Sequence, residues 1–289
     1  MIFKSSMRAF VAVAIATVSF GLSPASAQVV ASGAAPLPLA PDVAAIVDRG
    51  TLIVAMTSFD NPPFYSGSGK HLEGIDVTLA ERVAEALGVK VEFNRDAETF
   101  NDVVAKVALG QADLAISKIS RTHARAQVVA FSEPYARLRH ALIFNRLKLA
   151  RMTEGRDIAE VVRHFEGSIG VIENSSFATF AKERFPHATV VPFKTWDEVI
   201  EATIAGKVDA SYRDEFEIRK VAVDRPDASI SLRTVTINDA RDSIAVAAPW
   251  DRPRLLGIVN QVIDERATQV TADELIALYR ASTETEGGH

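Results

Sequence analysis

Apolar positions recur along this chain with two alternating periods. Residues 51–56 form a β-rich run. From Val77, apolar residues return at Ala80, Val83, Ala84 and Leu87, the three- and four-residue spacing of a helix, and Gly88 suits its C-terminal cap. Asp76, at the start of that helix, reads as a cap. Residues 89–93 alternate like a strand. Phe100-Asn101-Asp102 opens a further helix, with Val103, Val104 and Val107 inward and Gly110 closing it, and residues 113–116 make a short apolar strand. Strand, helix, strand, helix, strand predicts a parallel α/β sheet, whose ligands bind at the carboxyl ends of its strands.

A second α/β block follows a strand at 140–144. Residues 168–172 read as a strand that turns through Glu173-Asn174-Ser175-Ser176 into a helix. Asn tolerates a left-handed backbone and Ser is a good N-cap. Residues 189–193 form another strand, and Thr195 with Glu198 has capping-box form, starting a helix that ends at Gly206. A strand at 208–212 runs directly into Arg213 and Asp214. Residues 243–248 predict a returning strand, Pro253 opens a helix, Thr271 with Glu274 opens the last one, and 282–289 reads as a polar tail.

The N-terminus departs from this pattern. Lys4 and Arg8 precede an apolar run over 9–22, too short to span a membrane, and Ala25-Ser26-Ala27 is a small-x-small cleavage site. Residues 1–27 are therefore expected to be a signal peptide, cleaved after Ala27, with the mature protein exported to the periplasm. Residues 28–43, with Pro36, Pro38 and Pro41, read as an extended leader.

Composition narrows the chemistry. The 289 residues are 48% apolar and carry a net charge of -5, with no basic run that suggests nucleic acid. With no cysteine, disulfides and thiolate chemistry are excluded. The histidines at 71, 123, 140, 164, 187 and 289 lack metal-ligand spacing, so neither metal nor cofactor is expected.

The chemistry concentrates after the strand at 113–116. Ser117, Ser120 and Thr122 offer hydroxyls and backbone N–H groups, and a helix starting near Thr122 would aim its positive end at them. Arg125 adds a planar fork of donors suited to a carboxylate. Farther along, Asp214 at a strand end could face that arginine across a cleft. A cation on one side and a carboxylate on the other read a zwitterion; the alternative role for Asp214 is a helix N-cap.

These residues carry a resemblance. Ser120, Thr122 and Arg125, followed by Phe131-Ser132-x-Pro134-Tyr135, resemble the S-x-T-P-E-R and F-S-x-P-Y segments of the periplasmic amino-acid-binding proteins of ABC importers (solute-binding protein family 3, polar amino acid type), with His123-Ala124 in place of Pro-Glu. Pro62-Pro63-Phe64, Gly74-Ile75-Asp76 and Val208-Asp209-Ala210 with Asp214 are similar to further segments of that family.

The resemblance implies a two-lobed α/β fold of periplasmic-binding-protein type II. Lobe 1 would be 44–139 plus 240–289, and lobe 2 would be 140–239. It also implies a monomer that passes a small amino acid or related carboxylate to a membrane permease. Arg125 would take the α-carboxylate, helped by Ser120 and by N–H groups at Thr122 and Ser176. Asp214 and Ser117 would take the ammonium, while Phe59 and Phe100 pack on the side chain. Lys118 stands where the family often has Gly or Ser. With its ammonium in the cleft an acidic ligand is favoured; pointing away, it leaves neutral ligands equally open. The same fold hosts a dehydratase of prephenate- or arogenate-like acids, for which Glu173 and His123 are the candidate acids.

Overall fold

The computed structural model describes residues 37–265 and 269–286; the expected signal peptide lies outside them. Helix α1 (Pro41–Arg49) starts the fold with proline in its first turn, where the missing N–H costs nothing, and ends on Gly50 in the left-handed region. The last residues of the expected leader thus belong to a helix. Strand β1 (Thr51–Thr57) leads through a loop to α2 (Ile75–Leu87), capped by Gly88 at φ 68°, and then to β2 (Lys90–Ala97). Helix α3 (Phe100–Ala108) starts with a reciprocal capping box between Thr99 and Asp102. After β3 (Leu114–Ala115) come the single-turn α4 (His123–Ala126) and β4 (Ala130–Phe131).

The chain crosses to the second sheet along β5 (Ala136–Asn145). Helices α5 (Arg146–Thr153) and α6 (Ile158–Arg163) precede β6 (Ser168–Ile172), α7 (Ser176–Arg184) and β7 (Thr189–Phe193). Helix α8 (Trp196–Ile204) has the expected capping box, with Thr195 and Glu198 satisfying each other's backbone. Strand β8 (Ala210–Asp214) then feeds α9 (Glu215–Asp224) with no loop between them. The return runs along β9 (Leu232–Ile244) to β10 (Ala247–Ala248), α10 (Pro253–Asp264) and α11 (Ala272–Glu286).

Two five-stranded sheets result, ordered β2-β1-β3-β10-β4 and β7-β6-β8-β5-β9. In the first, β1 is parallel to β2 and β3, and β10 enters antiparallel. In the second, β6 is parallel to β7 and β8, while β5 lies antiparallel between β8 and β9. Each sheet has its own apolar core. Leu52, Val54, Val83 and Leu255 belong to one, and Leu142, Phe144, Ile169 and Tyr212 to the other. Helix α9 ties the lobes together: its Phe216 sits in the first core, edge-on to Phe64 with ring centroids 5.9 Å apart.

Several expectations shift. The strand expected at 243–248 divides between the end of β9 and β10. Strand β9 itself has exposed residues on much of its length and no clean alternation, so its sequence hides it. The expected polar tail begins inside α11. Asp76 does not cap α2, whose N-cap is Gly74. Its carboxylate instead accepts the Lys118 N–H at 2.7 Å and the Tyr135 hydroxyl at 2.8 Å.

Candidate functional site

The carboxyl ends of β3 and β8 face each other from the two sheets, and the polar residues that follow them meet there. Phe100, Lys118, Ser120, Arg125, Ser176 and Asp214 line a cavity of about 20 Å³, together with Ser175, Phe177, Arg213 and Asp242. That is room for about one water. Several contacts bridge the lobes around it, two of them hydrogen bonds between lining residues. The Ser120 and Ser176 hydroxyl oxygens are 2.8 Å apart, and the Lys118 ammonium donates to Asp214 at 2.9 Å. The lobes are therefore closed on each other.

Arg125 is buried, at 6% exposure. It belongs to α4, which is only one turn long, so a helix dipole adds little to the charge of the guanidinium itself. Its Nε and Nη2 donate to Asn101 Oδ1 at 3.2 and 3.0 Å, and Nη1 donates to the Ser120 carbonyl at 3.0 Å. These acceptors are all neutral, and among the described residues no carboxylate makes an ion pair with it. Burial pulls the guanidinium down to about 10, partly offset by the charge of Asp242. A desolvated cation held by neutral groups, with donors to spare, is prepared for an anion.

Lys118 has entered the cleft. Its backbone is left-handed, at φ 48°, at the turn that follows the end of β3. Its ammonium donates to Asp214 Oδ2 at 2.9 Å and to Glu217 Oε1 at 2.6 Å, and lies 5.0 and 5.1 Å from the ring centroids of Phe64 and Phe216. Asp214 also accepts the Glu217 N–H at 3.1 Å, so it is N-cap and cleft residue together. Burial raises the Glu217 carboxyl, but Lys118, then Arg213 and Lys220, outweigh that and hold it at about 2. Arg213 stands 3.6 Å from Glu217 and stacks on Phe100 and Trp196, with its guanidinium carbon 5.9 and 5.3 Å from their centroids.

The other expected site residues divide. Ser120 donates to Asp242 Oδ2 at 2.8 Å and Ser176 meets it from the opposite lobe. Phe100 lines the cavity from the first turn of α3. Ser117 is buried beneath the cavity and accepts the Thr57 N–H at 3.1 Å, so it serves the sheet and not the lining. Thr122 accepts the Arg125 N–H as the N-cap of α4. Phe59 is 40% exposed, edge-on to Phe100, and lines an adjoining cavity of about 550 Å³, which shares Phe100 and Arg213 with the first, together with Glu173 and Trp196. His123 is exposed.

Asp242, Glu217 and Asn101 are brought to the site without a motif that marks them. Asp242 is 2% exposed, and among the described residues its Oδ1 has no hydrogen-bond partner. Burial, then the charge of Asp214, push its carboxyl up to about 7 against the Ser120 hydrogen bond and the charges of Lys118 and Arg125. Glu217 had a faint signal, an acidic residue three places after Asp214 at a helix start. Asp242 lies in a polar run at 238–242 that carries none.

Two mixed α/β lobes closed over a polar cleft define the type II periplasmic-binding-protein fold. Residues 52–165 match the family of bacterial extracellular solute-binding proteins, family 3. Its members are periplasmic or extracellular. An amino acid ABC transporter substrate-binding protein, AbpA, from Streptococcus pneumoniae, solved with L-arginine bound, is 29% identical, with a TM-score of 0.66 over 82% of this chain and 98% of that one. An ancestral amino-acid-binding protein described as a precursor of cyclohexadienyl dehydratase is 24% identical, with a TM-score of 0.64 over 83% and 99%, and shares the fold. Among curated relatives, a membrane-bound lytic murein transglycosylase F from Idiomarina loihiensis is 27% identical over 72% of this chain, which spans only 44% of that protein's length. The lysine/arginine/ornithine-binding periplasmic protein of Escherichia coli is 24% identical over 75% of this chain and 83% of its own.

Proposed function

We propose that this protein is the extracytoplasmic receptor of an ABC importer. It captures a small amino acid or related carboxylate between its lobes and presents the closed form to a membrane permease. Residues 1–27 act as a cleaved signal peptide in this reading, and the mature protein works as a monomer. Lobe 1 comprises 44–139 plus 240–289, and lobe 2 comprises 140–239.

The observation that carries the reading is Arg125: a buried guanidinium at the seam of the lobes whose side-chain bonds among the described residues go to Asn101 and the Ser120 carbonyl. A carboxylate there would gain charge-assisted hydrogen bonds that the open form cannot complete, so binding favours closure. Ser120 and Ser176, which meet across the seam, would order around the same group. Relatives named for amino-acid binding support the same reading.

An enzyme on this scaffold needs a proton donor at the cleft. His123 is exposed and Glu173 lines the outer cavity, so neither is placed for that. Asp242, which lines the cleft with its carboxyl near 7, is an acid group whose surroundings would serve a dehydratase. Native mass spectrometry of the protein purified from its own compartment tests the receptor reading: a retained small acid supports it. Incubation with prephenate or arogenate, followed by ultraviolet absorbance of an aromatic product, tests the enzyme. Turnover without a retained solute would replace the receptor.

A further inference from the structure

The cleft contains a cation site that is already full. Two carboxylates and two aromatic faces surround the Lys118 ammonium, and its side chain is 3% exposed. Carboxylates with flanking rings are the surroundings that hold an ammonium away from water. The lysine is pinned as well as paired, because its own N–H is fixed to Asp76.

The remaining charges can be followed group by group. Asp214 spends Oδ2 on Lys118 and Oδ1 on the Glu217 N–H. Glu217 faces Lys118 and also Arg213. Three cations, Lys118, Arg125 and Arg213, line the cavity against two carboxyl groups, Asp214 and Asp242. The cation without a carboxylate partner is Arg125. The acid group with an open oxygen is Asp242, whose Oδ1 is buried without a partner among the described residues. In its neutral form, which burial and Asp214 favour, Asp242 can donate to an oxygen of the ligand. An ammonium brought to Asp242 would instead share this small space with Lys118 and Arg125.

On the receptor reading above, the geometry points to a solute that brings no ammonium: a short hydroxy, oxo or dicarboxylic acid, with one carboxylate on Arg125. Lys118 supplies from within the chain the positive charge that an amino acid would carry in. The protein thus rejects the amino acid and accepts its ammonium-free analogue, because a second cation would displace or crowd the first. It does so on a fold shared with a protein solved with L-arginine bound.

The test is calorimetric titration of residues 28–289 with matched pairs: lactate against alanine, malate against aspartate, 2-oxoglutarate against glutamate, with arginine and lysine alongside. The expected result is at least one pair whose acid binds tenfold or more tighter than its amino acid. Lys118→Ser, which frees Asp214 and Glu217, should narrow or reverse that preference. Lys118→Arg, which keeps the charge, should retain it if the serine variant does not fold. Tighter or equal binding of an amino acid to the unaltered protein overturns the inference and leaves the receptor reading standing. Silence of every acid and amino acid, in the unaltered protein as in Arg125→Ala, overturns both.

Discussion

Lys118 and Asp214 stand 2.9 Å apart across the seam, one from each lobe, and Glu217 joins them at 2.6 Å. Asp214 is the N-cap of α9 and Glu217 lies in its first turn, and the Phe216 between them enters the core of the other lobe. Charge and apolar packing therefore hold the same helix against lobe 1. The cation that meets Asp214 and Glu217 across the seam thus comes from the chain itself.

Removing that cation should loosen the closed state. Lys118→Met leaves Asp214 and Glu217 buried, with Arg213 and Lys220 as the remaining cations near Glu217. Breaking a buried pair from one side costs on the order of 3–5 kcal/mol. Hydration of the freed carboxylates favours opening. Small-angle scattering of the ligand-free variant should give a larger radius of gyration, with a lower melting temperature; a radius and melting temperature equal to the unaltered protein's would contradict the ion-pair account.

Asn101 holds two of the Arg125 donors on a single oxygen. Asn101→Ala should leave the fold intact, since Asn101 is exposed on α3, but should free the guanidinium to turn. Solute affinity should fall by less than in Arg125→Ala, and enthalpy of binding should weaken with it. Affinity unchanged in Asn101→Ala would remove Asn101 from the site.

Solute affinity should depend on pH through Asp242. Its carboxyl is near 7, and the groups facing it are Ser120, Asp214, Lys118 and Arg125. Below about 7 it is neutral and can donate to a bound anion. Above that it adds a negative charge beside the anion. Affinity for an acid should therefore fall as pH rises from 6 to 8, approaching tenfold per unit above the carboxyl's own value. Asp242→Asn should flatten the profile; a flat profile in the unaltered protein would exclude the titration of Asp242.

His140 gives a separate acid-side effect on stability. It is packed among Phe177, Phe180 and Tyr212, and its Nδ1 is bonded to the Tyr212 hydroxyl. Burial, then Arg184, lower its ring to about 4, against a smaller opposing effect of Asp239. The unfolded ring titrates near 6.5. A depressed folded value means stability is complete above about 6.5 and is lost as pH falls toward about 4. Denaturant melts at pH 7 and pH 4.5 should show a loss that His140→Phe reduces; an equal loss in both proteins would assign it elsewhere.

The sequence made the framework legible where local rules are strong. The bounds of β6 and β7, the glycine after α2 and the boxes at Thr195 and Thr271 follow from alternation and capping chemistry. Asn174 adopts the left-handed turn expected of it, at φ 53°. Strand β9 was illegible because it lies at the sheet edge and its register with β5 shifts between Arg139 and His140, so its alternation is broken. Within the site, Arg125 and Asp214 could be located from strand ends. Asp242 could not, since it reaches Ser120 only through a pairing 122 residues apart. Lys118 was visible as a departure, but its direction is set by the turn geometry and by Asp76, 42 residues away.

The most direct measurement is thermal unfolding of residues 28–289 and of Arg125→Ala with a panel of small acids and amino acids. A solute at about 100 times its dissociation constant should add about 2.7 kcal/mol to the unaltered protein. Loss of a buried charged contact costs on the order of 2–5 kcal/mol, so Arg125→Ala should bind roughly thirtyfold or more weakly and lose the shift. A solute that stabilises both proteins equally would contradict the central claim that the carboxylate is held on Arg125.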